Sequence, residues 1–181
     1  MDLFRCESIL LKSYWIMVVM DVFTRRLIGF AVAPADLDGP DICRMFNRAI
    51  AKQIPPKYLS SDNDPLFRFH QWLANLRILE VNETKAIPCT PRSHAFVERL
   101  IGIVRREYLD RILFWNQGDP EQKLDNYKVY YNRRRCHTGL AGATPVDRSG
   151  APTHPIASLR SHHWRQHCRG HAERGRRSHL L

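Results

Sequence analysis

Lys57-Tyr58-Leu59-Ser60-Ser61-Asp62-Asn63-Asp64 is a strand-length segment that runs out into an acid, and the class of architecture follows from what surrounds it. Residues 57–61 read as a strand. Before it, Asp38-Gly39-Pro40-Asp41 starts a helix, Ile42, Met45, Phe46, Ala49 and Ile50 repeat at helical spacing, and Pro55-Pro56 is the stop. A strand that follows strand and helix in this way lies parallel to an earlier strand through a right-handed crossover. Asp62 then falls at the carboxyl end of a strand in an open α/β sheet, where such sheets collect ligands.

Upstream, Tyr14 to Met20 is a continuous apolar run and Arg26 to Val32 a second, with Asp21-Val22-Phe23-Thr24-Arg25 between them. That pattern predicts an antiparallel pair with a short turn. Downstream, a short helix is expected over roughly Phe67 to Asn75 and a strand around Leu79 to Ile87, followed by a Pro88-Cys89-Thr90-Pro91 loop. Ser93 can cap the next helix, whose apolar residues Phe96, Val97, Leu100, Ile103, Val104 and Tyr108 recur at three and four. A last amphipathic helix, from about Pro120 through Tyr131, ends in Asn132-Arg133-Arg134-Arg135-Cys136-His137, where basic residues complement the helix dipole.

The chain has 181 residues, 44% of them hydrophobic, enough for one sizeable core and little more. Its net charge is +10 and its pI about 9.8, which favours a polyanionic partner. Most of the positive charge is arginine, 22 residues against 6 lysines, and the planar guanidinium is the better bidentate phosphate ligand. Five scattered cysteines, with no Cys-x-x-Cys pair, argue against a disulfide framework. No apolar run approaches the ~20 residues needed to span a bilayer, and no signal-peptide pattern opens the chain. The expectation is a cytoplasmic protein without membrane contact.

Three acids stand in distinctive local frames: Asp2 in Met1-Asp2-Leu3-Phe4, Asp62, and Glu98 in Pro91-Arg92-Ser93-His94-Ala95-Phe96-Val97-Glu98-Arg99. If the fold brings them together, three hard oxygen ligands can hold two Mg²⁺ ions at a phosphodiester. Glu98 lies beside the apolar stripe of its helix, with Gly102 and Arg105 four and seven residues on. Taken alone, that is an ordinary surface Glu and Arg pairing. From Arg160 to Leu181 six arginines face one acid, Glu173, and the expectation is a weakly ordered basic tail, residues 151–181, that touches phosphates non-specifically. His162, His163, His167, Cys168 and His171 have helical spacings that suit zinc, but the arginine neighbours and the missing Cys-x-x-Cys pair argue against a zinc site.

Over residues 1–150 the chain resembles the catalytic core of retroviral-type integrases, and more closely the insertion-sequence transposases that share it. Ser61-Asp62-Asn63 resembles the family's Thr/Ser-Asp-Asn-Gly strand end, and residues 91–98 resemble its Pro-x-Ser-x-x-x-Val-Glu stretch. Asp21 to Arg26 resembles the Asp-x-Phe-Ser/Thr-Arg turn, and Tyr131-Asn132 with Arg135, His137, Leu140 and Thr144-Pro145 resembles the Tyr-Asn-x-x-Arg-x-His ending. Four motifs in the right order are a strong signal where any one alone is weak.

The resemblance implies an RNase H-like mixed five-stranded sheet flanked by helices. It implies Asp2, Asp62 and Glu98 as catalytic metal ligands for two Mg²⁺ (or Mn²⁺) ions in DNA strand cleavage and strand transfer. His94 and Arg105 resemble DNA-end contacts; Arg106, Arg133 and Arg134 join them as basic candidates, with transposon ends and target DNA as partners and a homo-oligomer as the active state. Asp64 stands where the family has Gly, in a left-handed turn that Asp tolerates. Asp21 is expected to support its turn, not to bind metal. In the family the first aspartate lies inside a strand that starts several residues earlier, after an end-binding helix-turn-helix region. The further expectation is therefore an N-terminally truncated core with a shortened first strand, and the alternative is an inactive remnant that only binds DNA non-specifically.

Overall fold

A computed structural model describes residues 1–51, 53–62, 64–85, 95–150, 162–167 and 171–176. Strands β1 (Asp2–Glu7), β2 (Ser13–Met20) and β3 (Leu27–Pro34) form an antiparallel sheet in that order. Helix α1 (Gly39–Ile50) follows, then β4 (Tyr58–Ser61), a 3₁₀ turn over Pro65–Arg68, α2 (His70–Ile78) and β5 (Asn82–Lys85), which pairs in parallel with β4. Helices α3 (Ala95–Glu107), α4 (Gly118–Arg133) and the one-turn α5 (Pro145–Arg148) complete the globule, and β6 (His162–His167) pairs antiparallel with β7 (His171–Arg176).

The continuous apolar run of β2 has a direct physical reason. Successive strand side chains point to opposite faces, so a strand covered on both sides has no polar positions to spare. Ile16, Val18 and Met20 face one core with Phe4, Leu27, Phe30 and Val32, and that core is closed by Val97, Leu100 and Val104 of α3 and Leu124 and Tyr127 of α4. Met17 and Val19 face the other, closed by Ile42, Met45 and Phe46 of α1 and Trp72 and Leu76 of α2. Each such side chain, once buried, contributes about 1.5–3 kcal/mol of transfer free energy. The sheet is thus the middle layer of three.

The helix start read at Asp38 is a full capping box: Asp38 accepts from the Asp41 N–H at 2.7 Å and Asp41 accepts from the Asp38 N–H at 3.2 Å. The helix ends at Ile50, short of the expected Pro55-Pro56 stop. The five expected strands are present, but hydrogen bonding divides them into three and two. β4 takes β5 as its parallel partner, and the Met1 ammonium before β1 donates to the Ser60 carbonyl of β4 at 2.8 Å. The expected parallel pairing of β4 with an earlier strand is not formed among the described residues: its parallel partner is β5, the strand that follows it.

Three local readings change. Phe67 belongs to the 3₁₀ turn, not to a helix, because Asp64 accepts from the Leu66 N–H and starts a separate turn there. Asp64 itself has φ −56°, so it caps that turn and is not the left-handed residue expected. The strand expected from Leu79 begins at Asn82, since α2 runs on to Ile78 and Glu80 takes a left-handed φ of 56°. In the basic segment, residues 162–167 and 171–176 are extended and paired, so the helical spacing of His162, His163 and His167 is not realised.

Candidate active site

Asp2 is the first residue of β1, half-buried and opposite Val18 of β2; its Oδ1 accepts from the Leu3 N–H at 2.7 Å. Asp62 follows the last residue of β4, also half-buried, and its Oδ1 accepts from the Asp64 N–H at 3.1 Å. The Met1 ammonium ties the two strand ends together. Burial pushes its pKa down to about 6, and the Asp2 and Asp62 carboxylates, both near enough to act on it, pull it back up. Two of the three acids, sixty residues apart in sequence, therefore share one neighbourhood.

A polar network under Asp62 holds that strand end in place. Ser61, fully buried, donates to Glu83 Oε1 at 2.6 Å; Trp72 Nε1 donates to the same oxygen at 2.9 Å. Lys85 Nζ donates to Glu83 at 2.6 Å, to Ser61 Oγ at 3.0 Å and to the Phe67 carbonyl at 3.0 Å. Burial works against the Glu83 carboxylate, yet the hydrogen bonds from Lys85, Ser61 and Trp72 outweigh it and hold its pKa below the ordinary value. Sequence reasoning missed this network; the signal was there in the polar residues Glu83 and Lys85 alternating on a strand whose partner ends in Ser61.

Glu98 stands exposed in the first turn of α3, on a helix anchored to the sheet by the buried Val97 and Leu100. Among the described residues it has no hydrogen-bond or ion-pair partner, and no group of three or more His, Cys, Asp or Glu side chains is disposed to hold a metal ion. The structure thus brings Asp2 and Asp62 together and leaves Glu98 on the neighbouring helix. The donor set itself, carboxylates at strand ends with solvent access, is the chemistry that hard divalent cations such as Mg²⁺ prefer.

Asp21 is committed to its turn: it accepts from the Phe23 N–H at 2.9 Å and the Thr24 hydroxyl at 2.6 Å. Arg105 turns back onto β1, donating to the Arg5 carbonyl at 2.8 Å with its guanidinium 5.4 Å from the Phe4 ring centroid. It therefore does not stand beside Glu98 as a free pair. Arg106, Arg133 and Arg134 are exposed, while His94 and the Pro91–Ser93 frame lie outside the described residues. No described helix is long and apolar enough to cross a membrane.

Residues 83–145 match the integrase core domain family. The chain is 23% identical over 138 residues to the transposase for insertion sequence element IS904 of Lactococcus lactis, covering 75% of this chain and 54% of that protein. It is also similar in structure to the simian T-cell lymphotropic virus intasome solved in complex with the PP2A regulatory subunit B56 gamma, with a TM-score of 0.69 and 19% identity over 90% of this chain and 59% of that one. A third likeness is to the HTLV-2 integrase catalytic core domain in complex with magnesium, with a TM-score of 0.59 and 17% identity over 80% of this chain and 89% of that one. The chain spans about half the length of the curated transposase it matches. The fold is that of the retroviral integrase cores, RNase H-like.

Proposed function

We propose that this chain, whose core is of the integrase and transposase type, carries out DNA strand cleavage and strand transfer, with residues 1–150 as the catalytic unit. The observation that carries the reading is the meeting of Asp2 and Asp62 at adjoining strand ends around one buried ammonium. Two carboxylates from separate strands, with Glu98 on the helix packed over the sheet, are the residues that would hold divalent cations, two Mg²⁺ or Mn²⁺ ions. When bound, such cations supply Lewis acidity to the phosphoryl oxygens and a more acidic nucleophile.

The chain's own residues supply position. The Ser61, Glu83 and Lys85 network fixes the end of β4, and the sheet pairing of Asp2 with Val18 fixes the start of β1. A 3′-hydroxyl or water then forms a new P–O bond in line as the P–O bond to the departing strand breaks, so the protein forms no covalent bond to DNA. His94, Arg105, Arg106, Arg133 and Arg134 are the proposed DNA contacts, with the basic segment 151–181 adding sequence-independent phosphate contacts. Joining two ends of one element calls for a homo-oligomer.

The test is strand transfer with Mg²⁺ on a labelled oligonucleotide duplex, comparing the parent chain with Asp62→Asn. Loss of both cleavage and joining in a variant that keeps the parent's circular dichroism is the expected result. DNA binding by the parent with no cleavage of any substrate would leave a DNA-binding protein only and overturn the reading.

A further inference from the structure

We propose that the hollow between the β2–β3 turn, the first turns of α3 and the segment after α4 is an oxyanion site that takes a backbone phosphodiester of a nucleic-acid strand. The hollow has a volume of about 300 Å³, and Arg25, Arg99, Arg135 and His137 line it with no carboxylate among the described lining residues. These cationic and imidazole groups come from three distant parts of the chain, so their convergence is a product of the fold and not of a local charge run.

Its cationic groups differ in how far they are paired. Arg135 is satisfied, since its Nη2 and Nε donate to Glu107 at 2.6 and 2.9 Å. Among the described residues, Arg25 Nη1 and His137 Nε2 are buried atoms without a hydrogen-bond partner. Arg135 Nη1 lies 3.3 Å from His137 Nδ1, and the His137 ring also has a hydrogen bond to the Tyr131 backbone. Among the described residues the hollow therefore holds one charged donor, Arg25 Nη1, with no acceptor. Leaving a buried donor unpaired is costly, and most of all where it is charged.

The charge is also held in place. The Arg25 guanidinium lies over the Phe96 ring, 3.1 Å from its centroid, on a backbone with a left-handed φ of 63°. Burial lowers its pKa, and the neighbouring Arg99 charge lowers it further against the opposing pull of Tyr131. An oxyanion between Arg25, Arg99 and His137 offsets that repulsion and supplies an acceptor to Arg25 Nη1. Arg99 is exposed at the rim and directly follows Glu98, so a DNA strand lying along Glu98 would carry a phosphate to the mouth of the hollow.

The identity of the ligand as nucleic acid rests on the proposed function; the oxyanion chemistry does not. The full chain is titrated with inorganic phosphate while the His137 imidazole signals, assigned with His137→Gln, are followed by NMR. Duplex DNA affinity is measured by fluorescence anisotropy at several salt concentrations for the parent, Arg99→Gln and Arg25→Gln. Phosphate is expected to shift the His137 signals saturably. Arg99→Gln, at an exposed position that leaves the fold alone, is expected to weaken DNA binding roughly five- to ten-fold for unrelated sequences alike and to reduce the salt slope by about 1. The proposal is overturned if phosphate leaves the parent's His137 signals unmoved, or if Arg99→Gln and any folded Arg25→Gln bind DNA as the parent does. Should phosphate bind while DNA does not, the proposed function fails and the hollow takes a free oxyanion, which overturns the phosphodiester assignment alone.

Discussion

Asn132 makes both backbone hydrogen bonds of Leu27: its Oδ1 accepts from the Leu27 N–H and its Nδ2 donates to the Leu27 carbonyl, each at 2.8 Å. The amide at the end of α4 thus acts as one more strand residue on the edge of β3, 105 positions away in sequence. Both residues are buried, so no water replaces a lost bond. Asn132→Ala is expected to leave two backbone groups unpaired and to cost about 2–4 kcal/mol. Asn132→Asp keeps the acceptor but faces a carbonyl with a carboxylate and is expected to be no better than alanine at neutral pH. Urea unfolding measures both, and a midpoint equal to the parent's would refute the argument.

Gly29 lies where α1 is pressed onto β3, and a Cβ there would run into the Ala49 carbonyl oxygen and carbon. The obstacle is helix backbone, which cannot swing aside as a side-chain tip can. Gly29→Ala is expected to push α1 off the sheet and to destabilise by about 3 kcal/mol, at the upper end of overpacking costs. Gly102→Ala is the control, because a Cβ there meets only the Arg106 guanidinium and the change favours a helix by about 0.8–1 kcal/mol. Thermal unfolding of the pair is expected to move in opposite directions, and equal shifts would show that α1 is not tightly seated.

Glu83 ties folding to acidity. Its pKa in the folded chain is held below the ordinary 4.5, against burial, by Lys85, Ser61 and Trp72. A depressed carboxylate pKa means the unfolded chain takes up its proton first as pH falls. The stabilisation is therefore complete above 4.5 and is lost as pH drops through the lower, folded value. Glu83→Gln removes the charge and leaves Lys85 without its acid, so the parent's advantage over this variant is expected to be largest near neutrality and to shrink below about pH 4.5. Melting temperatures of both chains across that range decide the matter; an advantage that grows on acidification would contradict it.

How much of this was legible in the sequence depends on whether the deciding contact is local. The double-sided burial of β2 is written in its unbroken apolar run, the start of α1 in Asp38 and Asp41, and the turn role of Asp21 in the residues it caps. The placement of Asp62 at a strand end was equally readable, because strand, helix and strand in series admit few topologies. The Asn132 and Leu27 bonds were not readable, since nothing near either residue marks the other. The same holds for the Arg25 and His137 hollow, which exists only once three distant segments converge. The limits of β5 were misplaced because Ile78 and Leu79 fit a helix end as well as a strand start, and the left-handed Glu80 decides between them.

The two sheets meet at the candidate metal ligands, and that gives the ligands a readout apart from catalysis. Asp2 belongs to the three-stranded sheet and Asp62 directly follows a strand of the two-stranded one, and the Met1 ammonium bonds the Ser60 carbonyl between their strands. A cation held by both carboxylates would cross-link β1 to β4 in the folded chain, and no such pairing survives unfolding. Magnesium at 100 times its dissociation constant is then expected to stabilise the parent by about 2.7 kcal/mol. Asp62→Asn and Asp2→Asn are each expected to lose most of that gain, and Glu98→Gln a smaller share, because Glu98 stands on the helix and not at the strand ends. The measurement is a thermal melt in MgCl₂ against NaCl of equal ionic strength, which removes general screening from the comparison. Equal magnesium shifts in the parent and Asp62→Asn would place the ion elsewhere and remove Asp62 from the site.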